Sequence, residues 1–172
     1  MLDFKIDIDT KASKDELNDF LTLSFSQFIS SNGDVEIQDG QNLEQWFDID
    51  GLLAYLDSKN GYLITARDES KKLIGISFIG KQSLLNWPDG NKAELFIIAV
   101  DINYRRFGIG TKLLQRAEEC ARNFDSRSIM LNTHIDQKQS RSFYEKNEYT
   151  LMGILHDYYD NGDAAFYGKS LI

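Results

Sequence analysis

The 172-residue sequence predicts a single α/β domain spanning residues 1–172, in which six to seven strands alternate with about four helices. Three observations predict it. Stretches of period-two alternation and stretches of helical spacing succeed one another along the chain, with no internal repeat, low-complexity tract or linker. Two strand pairs flank turn-rich segments of hairpin type, Asp68-Glu-Ser-Lys-Lys72 and Asp160-Asn-Gly162. Between these pairs one apolar strand runs through a short glycine-containing loop straight into an amphipathic helix.

In chain order, Phe4, Ile6 and Ile8 alternate with Lys5, Asp7 and Asp9, which makes a half-buried first strand. Ser13 followed by Glu16 is a capping-box pattern, and Leu17, Phe20, Leu21, Phe25, Phe28 and Ile29 then recur at helical spacing up to Asn32-Gly33. Asn42 is placed to cap a second helix with Leu43, Trp46, Phe47, Leu52, Leu53 and Leu56 on its apolar face, ending near Asn60-Gly61. Tyr62 to Arg67 and Leu73 to Ile79 read as a hairpin, and Pro88-Asp-Gly90 as a turn in the loop from Ser83 to Asn91. Ala93 to Val100 is apolar on both faces, the pattern of a central, covered strand. In the following helix Ile109, Leu113, Ala117, Cys120, Ala121 and Phe124 share one face. A strand from Ser128 to His134, a helix from Gln137 to Lys146, and strands from Tyr149 to Leu155 and from Ala164 to Ser170 complete the chain.

Composition narrows the function classes. With 19 basic against 27 acidic side chains the net charge is −8, which excludes a broad nucleic-acid-binding surface. A single cysteine, Cys120, excludes a disulfide framework and a Cys-based zinc site, and His156 has no partner at metal-ligand spacing. The longest apolar run, Leu95 to Val100, is far short of the roughly 20 residues of a spanning helix, and the acidic N-terminus is the opposite of a signal peptide. A cytoplasmic location is therefore expected. The charge is also unevenly spread: −9 over residues 1–104, +3 over 105–127 and −2 over 128–172. An acidic body with one basic island predicts a protein that holds an anionic group in one defined place.

That island begins at Arg105-x-x-Gly108-x-Gly110-Thr111, where the central strand gives way to a helix. Glycines let backbone approach a ligand, and the first helical turn presents unpaired N–H groups reinforced by the helix dipole. With Arg105, Arg106 and Lys112 beside them, these groups predict a phosphate or pyrophosphate site. A P-loop is excluded because the glycines are two apart with no Gly-Lys-Ser/Thr following, and a dinucleotide fingerprint because Leu113 stands where its third glycine belongs.

The spacing Arg-x-x-Gly-x-Gly resembles the acetyl-CoA loop of the GNAT superfamily of N-acetyltransferases. The likeness covers residues 93–172: Val100, Tyr104-Arg105, Gly108 and Gly110 stand in register with that loop, and Leu131-Asn-Thr-His134, Phe143-Tyr-Glu-Lys146, Tyr149, Gly153 and Tyr167-Gly-Lys169 with the family's later signature. Gln137, Ser140 and Glu148 depart from the family's usual Asn, Ala and Gly. The resemblance implies the GNAT fold, a mixed, mostly antiparallel sheet splayed between the Ala93 to Val100 and Ser128 to His134 strands. It also implies direct transfer of an acetyl group from acetyl-CoA to a primary amine, of a small molecule or of a peptide or protein, through a ternary complex. No metal is called for.

By the same resemblance the backbone of Ile98, Ala99 and Val100 pairs with the pantetheine arm, and the N–H groups from Phe107 through Gly108, Ile109 and Gly110 to Thr111 cradle the pyrophosphate. Arg105 and Arg106 neutralise it, and Ser140 lies on the donor side. Amine attack requires loss of a proton from the ammonium, and the departing thiolate needs a proton donor. Tyr144 is the candidate acid, and it also borders the donor. Glu94, eleven residues before Arg105, is the candidate base, with a water chain as the alternative. His134 at its strand end is a further cleft candidate, whereas Tyr149 and Cys120 read as core. Trp46 and Trp87 read as anchors. The acidic N-terminal half points to a cationic acceptor, with no nucleic acid or membrane as partner; a homodimer is left open. A competing class is an acyl-CoA-binding sensor or interaction module that does not turn over.

Overall fold

The computed structural model describes residues 2–32, 48–81, 91–160 and 162–172. Seven strands follow the order β1-β2-β3-β4-β5-β7-β6, here β1 (Phe4–Ile8), β2 (Gly61–Asp68), β3 (Leu73–Lys81), β4 (Lys92–Val100), β5 (Ser128–His134), β6 (Thr150–Tyr159) and β7 (Gly162–Ser170). The helices are α1 (Lys14–Asn32), α2 (Ile49–Asp57), α3 (Ile109–Asn123) and α4 (Lys138–Lys146). No helix among the described residues is long and apolar enough to cross a membrane. The chain groups into two compact units, residues 1–78 with 97–117 and residues 79–96 with 118–172.

In the first unit β1 runs antiparallel to β2, from Phe4↔Asp68 to Ile8↔Ile64. The core gathers Leu17, Phe20 and Leu21 of α1, Ile49 of α2, Leu63, Leu73, Ile76 and Phe78 of β2 and β3, and Ile97 of β4. Helix α1 starts as its sequence predicts: Ser13 Oγ accepts from the Glu16 N–H at 3.2 Å. The other half of the expected capping box is replaced. Both Glu16 carboxylate oxygens are taken by Arg67, at 2.6 and 2.8 Å, because a bidentate guanidinium pair outweighs a single neutral N–H donor. Arg67 also donates to Asp9 at 3.1 Å, and its hydrogen bond holds the Glu16 carboxyl below the usual carboxylate range. Helix α2 starts later than expected, since Asp48 is its N-cap and accepts from the Gly51 N–H at 2.8 Å. The other residues assigned to its start, Asn42, Leu43, Trp46 and Phe47, lie outside the described residues, as do the Pro88 turn and Trp87.

Strand β4 departs from the expectation of cover on both faces. Ala93, Leu95 and Ile97 are buried, but Phe96 is 43% exposed and Glu94 only half-buried. Apolar side chains on its more open face follow from strand propensity, which favours aromatic and β-branched residues regardless of cover.

In the second unit β4 and β5 form a parallel ladder of three registered pairs, Lys92↔Ser128 to Glu94↔Met130. Beyond it β5 stays paired with β7 as far as His134↔Ala164. The registered β4–β5 pairs number three, and the sheet's mixed, mostly antiparallel character agrees with the predicted fold class. The edge strand β6 runs four residues past its expected end, through an irregularity between Leu155 and Tyr159, and its Leu151, Met152, Ile154 and Leu155 are exposed. Lys169 of β7 binds buried Glu118 at 3.1 Å and the Asn147 carbonyl at 3.1 Å, which ties α3 to the end of α4.

Helix α4 ends in a Schellman-type turn: the Tyr149 N–H reaches the Tyr144 carbonyl at 3.0 Å, and Glu148 carries the left-handed φ of 69°. A glycine there would carry no Cβ penalty. Glu148→Gly is therefore expected to stabilise the protein by about 1 kcal/mol, an increase in Tm of about 2–4 °C at this size. Its exposed pair with Lys169, at 3.3 Å, contributes too little to reverse the sign. A melting curve checks it, and a lower Tm would show that the ion pair outweighs the backbone strain.

Candidate functional site

The glycine loop lies in the first unit. After Val100 the chain makes a 3₁₀ turn over Ile102–Tyr104, extends at Arg105 (φ −70°, ψ 159°) and enters the left-handed region twice, at Arg106 (φ 70°) and Gly108 (φ 80°). At Gly108 the absent Cβ matters for this φ alone, because nothing lies within 4 Å of where it would be. Gly110, by contrast, is the second residue of α3. The first α3 bond runs from the Lys112 N–H to the Gly108 carbonyl at 3.0 Å, so the N–H groups of Ile109, Gly110 and Thr111 fall outside the helix ladder. Ile109, Leu113, Leu114 and Ala117 are fully buried, which fixes this helix end against the core of its unit. Gly75 of β3 permits the approach: a Cβ there would meet Leu113 at 3.0 Å and Ile109 at 3.2 Å.

Around these donors the charge is positive. Arg105 is half-buried, its Nε donating to the Val100 carbonyl at 3.0 Å, and burial pulls its guanidinium below the ordinary arginine value while leaving it charged at neutral pH. Arg106 is exposed and holds a backbone conformation costly for a side-chain-bearing residue. The Lys112 ammonium lies over the Phe4 ring, 4.6 Å from its centroid. Phe107 is exposed, while Ile98, Ala99 and Val100 are half-buried at the end of β4. Convergent N–H groups within a cationic surround can hold a phosphorylated ligand.

The remaining candidates lie in the second unit. Tyr144 of α4 is buried among aromatic rings, with centroids 5.3 Å from Phe143, 6.0 Å from Tyr167 and 6.1 Å from Tyr149. Burial pushes its hydroxyl well above the usual tyrosine value. The Glu94 carboxyl is also pushed up, by burial. Ser140 is half-buried on α4. His134 stacks on Tyr159 with centroids 5.5 Å apart, and its Nδ1 accepts from the Asp136 N–H at 3.2 Å. Tyr159 in turn donates to Asn132 at 2.5 Å, a neighbour relation that residue spacing did not reveal. His156 is paired with Asp163 at 2.7 Å. Tyr149 and Cys120 are buried, as expected of core residues. Among the described residues no cluster of His, Cys, Asp and Glu is placed to hold a metal ion.

A family model described as Acetyltransferase (GNAT) family matches residues 17–149. N-alpha-acetyltransferase 30 of Schizosaccharomyces pombe is 36% identical over 75 residues, 44% of this chain and 50% of that protein. An N-alpha-acetyltransferase of Sulfurisphaera tokodaii is 29% identical over 76 residues, 44% of this chain and 46% of that protein. The matches thus span about half the length of these relatives. In fold, the chain resembles one from the crystal structure of the NatC complex bound to Gag peptide and CoA, with a TM-score of 0.74, 17% identity, and coverage of 99% of this chain and 100% of that one.

Proposed function

The chain belongs to the acetyltransferase (GNAT) family, and from that premise we propose that it is a single N-acetyltransferase domain that moves the acetyl group of acetyl-CoA to the α-amine of a peptide or protein. The observation that carries the donor assignment is the start of α3: three N–H groups outside the helix ladder, preceded by left-handed Gly108 and flanked by Arg105, Arg106 and Lys112. Those N–H groups hold the donor's pyrophosphate, the arginines offset its charge and the Thr111 hydroxyl adds a donor. Ile98 to Val100 offer backbone to the pantetheine arm, and Ser140 lines the donor side. The choice of an α-amine draws on the curated relatives, both named N-alpha-acetyltransferases, and fits the acidic balance of the chain, which steers a cationic N-terminus toward it.

In the ternary complex Glu94 takes a proton from the acceptor ammonium, directly or through water. The freed lone pair attacks the thioester carbonyl, the C–S bond of the tetrahedral intermediate breaks, Tyr144 gives its proton to the departing thiolate, and the second proton of the attacking nitrogen passes through water to the Tyr144 phenolate, leaving a neutral amide and a free thiol. Tyr144 suits that role because burial keeps it protonated well above neutral pH. Glu94 suits its role because a raised carboxyl is a stronger base than an ordinary one.

The test is thiol release from acetyl-CoA with peptides carrying a free N-terminus, set against the same peptides with a blocked N-terminus and free lysines, and against polyamines. Release restricted to free N-termini is expected. Release with blocked peptides or polyamines alone would move the acceptor to another amine. No release with any acceptor, while acetyl-CoA raises the Tm, would assign a sensor in place of an enzyme.

A further inference from the structure

Between the end of β4 and Gly108 the chain has no ladder to hold it, yet its path is pinned from the β2–β3 turn. Asp101, 2% exposed, donates its N–H to the Ile74 carbonyl at 3.0 Å. Its Oδ1 accepts from the N–H and the side-chain amide of Asn103, at 3.0 and 3.1 Å, and its Oδ2 from Lys72 Nζ at 3.2 Å. Lys72 is itself positioned, since its N–H reaches Asp68 Oδ1 at 3.0 Å. The second Asp68 oxygen accepts from the Tyr104 hydroxyl at 3.1 Å, and the Lys72 ammonium sits 5.2 Å from the Tyr104 ring centroid. Two polar links therefore join the β2–β3 turn to the residues immediately before Arg105.

A buried carboxylate is an electrostatically poor neighbour for a loop that receives phosphates, and the field of Asp101 reaches Arg105. Its presence calls for a compensating role in geometry. We propose that Asp101 is a positioning residue for the donor loop: clamped by Lys72 and holding Asn103, it sets the path that delivers Arg105 and Gly108 to the donor's phosphates. This role rests on the loop's proposed use as the phosphate site.

Geometry and electrostatics predict opposite signs for one substitution. Asp101→Asn removes a negative charge, so a purely electrostatic effect would tighten CoA binding; loss of the Lys72 clamp instead weakens it, by about tenfold in Kd, because a displaced loop aims its donors wrongly. Tyr104→Phe changes no charge and is expected to weaken CoA in the same direction by about threefold. Affinities for CoA and for pantetheine, which lacks the phosphates, are measured in the wild type and both variants. Weaker CoA binding with unchanged pantetheine binding supports the role. Unchanged or tighter CoA binding in both variants overturns it, as does an equal loss for both ligands. If Asp101→Asn fails to fold, Tyr104→Phe decides alone. A wild type that binds pantetheine as tightly as CoA would instead refute the phosphate site itself.

Discussion

Tyr144→Phe is expected to lower kcat by about 10²–10⁴-fold, the span attributed to a positioned proton donor, with the Kd for CoA within about twofold of wild type. The ring contributes its packing through Phe143, Tyr149 and Tyr167, and phenylalanine keeps all three contacts. The Tm should therefore stay within a degree or two. The whole effect then falls on the proton that the thiolate needs. Because burial raises this hydroxyl above its ordinary value of about 10, it stays protonated across the neutral range, and wild-type activity should show no alkaline loss due to Tyr144 below about pH 10. Equal turnover by wild type and variant would remove Tyr144 from the chemistry.

The contrast between what was legible in the sequence and what was not follows the distance over which each contact acts. Strand β4, the glycine loop and α3 are contiguous, and their apolar spacing and glycines are local signals, so the course of the chain from strand through loop to helix could be read directly. The Asp101 clamp could not be. Its partner Lys72 is 29 residues away and Tyr104 is 36 from Asp68, and only Asp101-x-Asn103, a pattern suited to a polar turn, hinted at it. Glu16 shows the same limit in reverse: a correct local capping pattern lost its carboxylate to Arg67, 51 residues away. At α2 both Asn42 and Asp48 are acceptable caps, and local propensity has no means to rank them. Arg106 and Glu148 illustrate a third case, since a left-handed φ on a non-glycine residue leaves no trace in the residue's own identity.

Glu94→Gln is expected to separate activity from stability. Glu94 is half-buried, and burial raises its carboxyl pKa. Its folded value therefore lies above the unfolded value of about 4.3. Between the two the folded protein binds more protons than the unfolded one, so stability falls as pH rises through the folded pKa, and the penalty is present wherever the folded carboxyl is ionised. Glutamine removes that penalty without changing the shape. The variant should melt higher than wild type at pH 7, each kcal/mol recovered being worth about 2–4 °C, and the gap should close near pH 4, where both proteins are neutral at this position. Activity moves the opposite way. If Glu94 accepts the acceptor's proton, kcat drops by about 10²–10⁴-fold and the acid limb of the wild-type profile, lying above about pH 4.3, disappears in the variant. If water alone carries the proton, kcat stays within about twofold while the melting difference persists, and the base assignment fails on its own. A variant that melts lower at pH 7 would overturn the burial account instead, because an amide can be worse than the carboxylate only where the charge is favourably paired. Stability and turnover measured across the same pH range therefore distinguish a carboxylate kept for chemistry from one kept for structure.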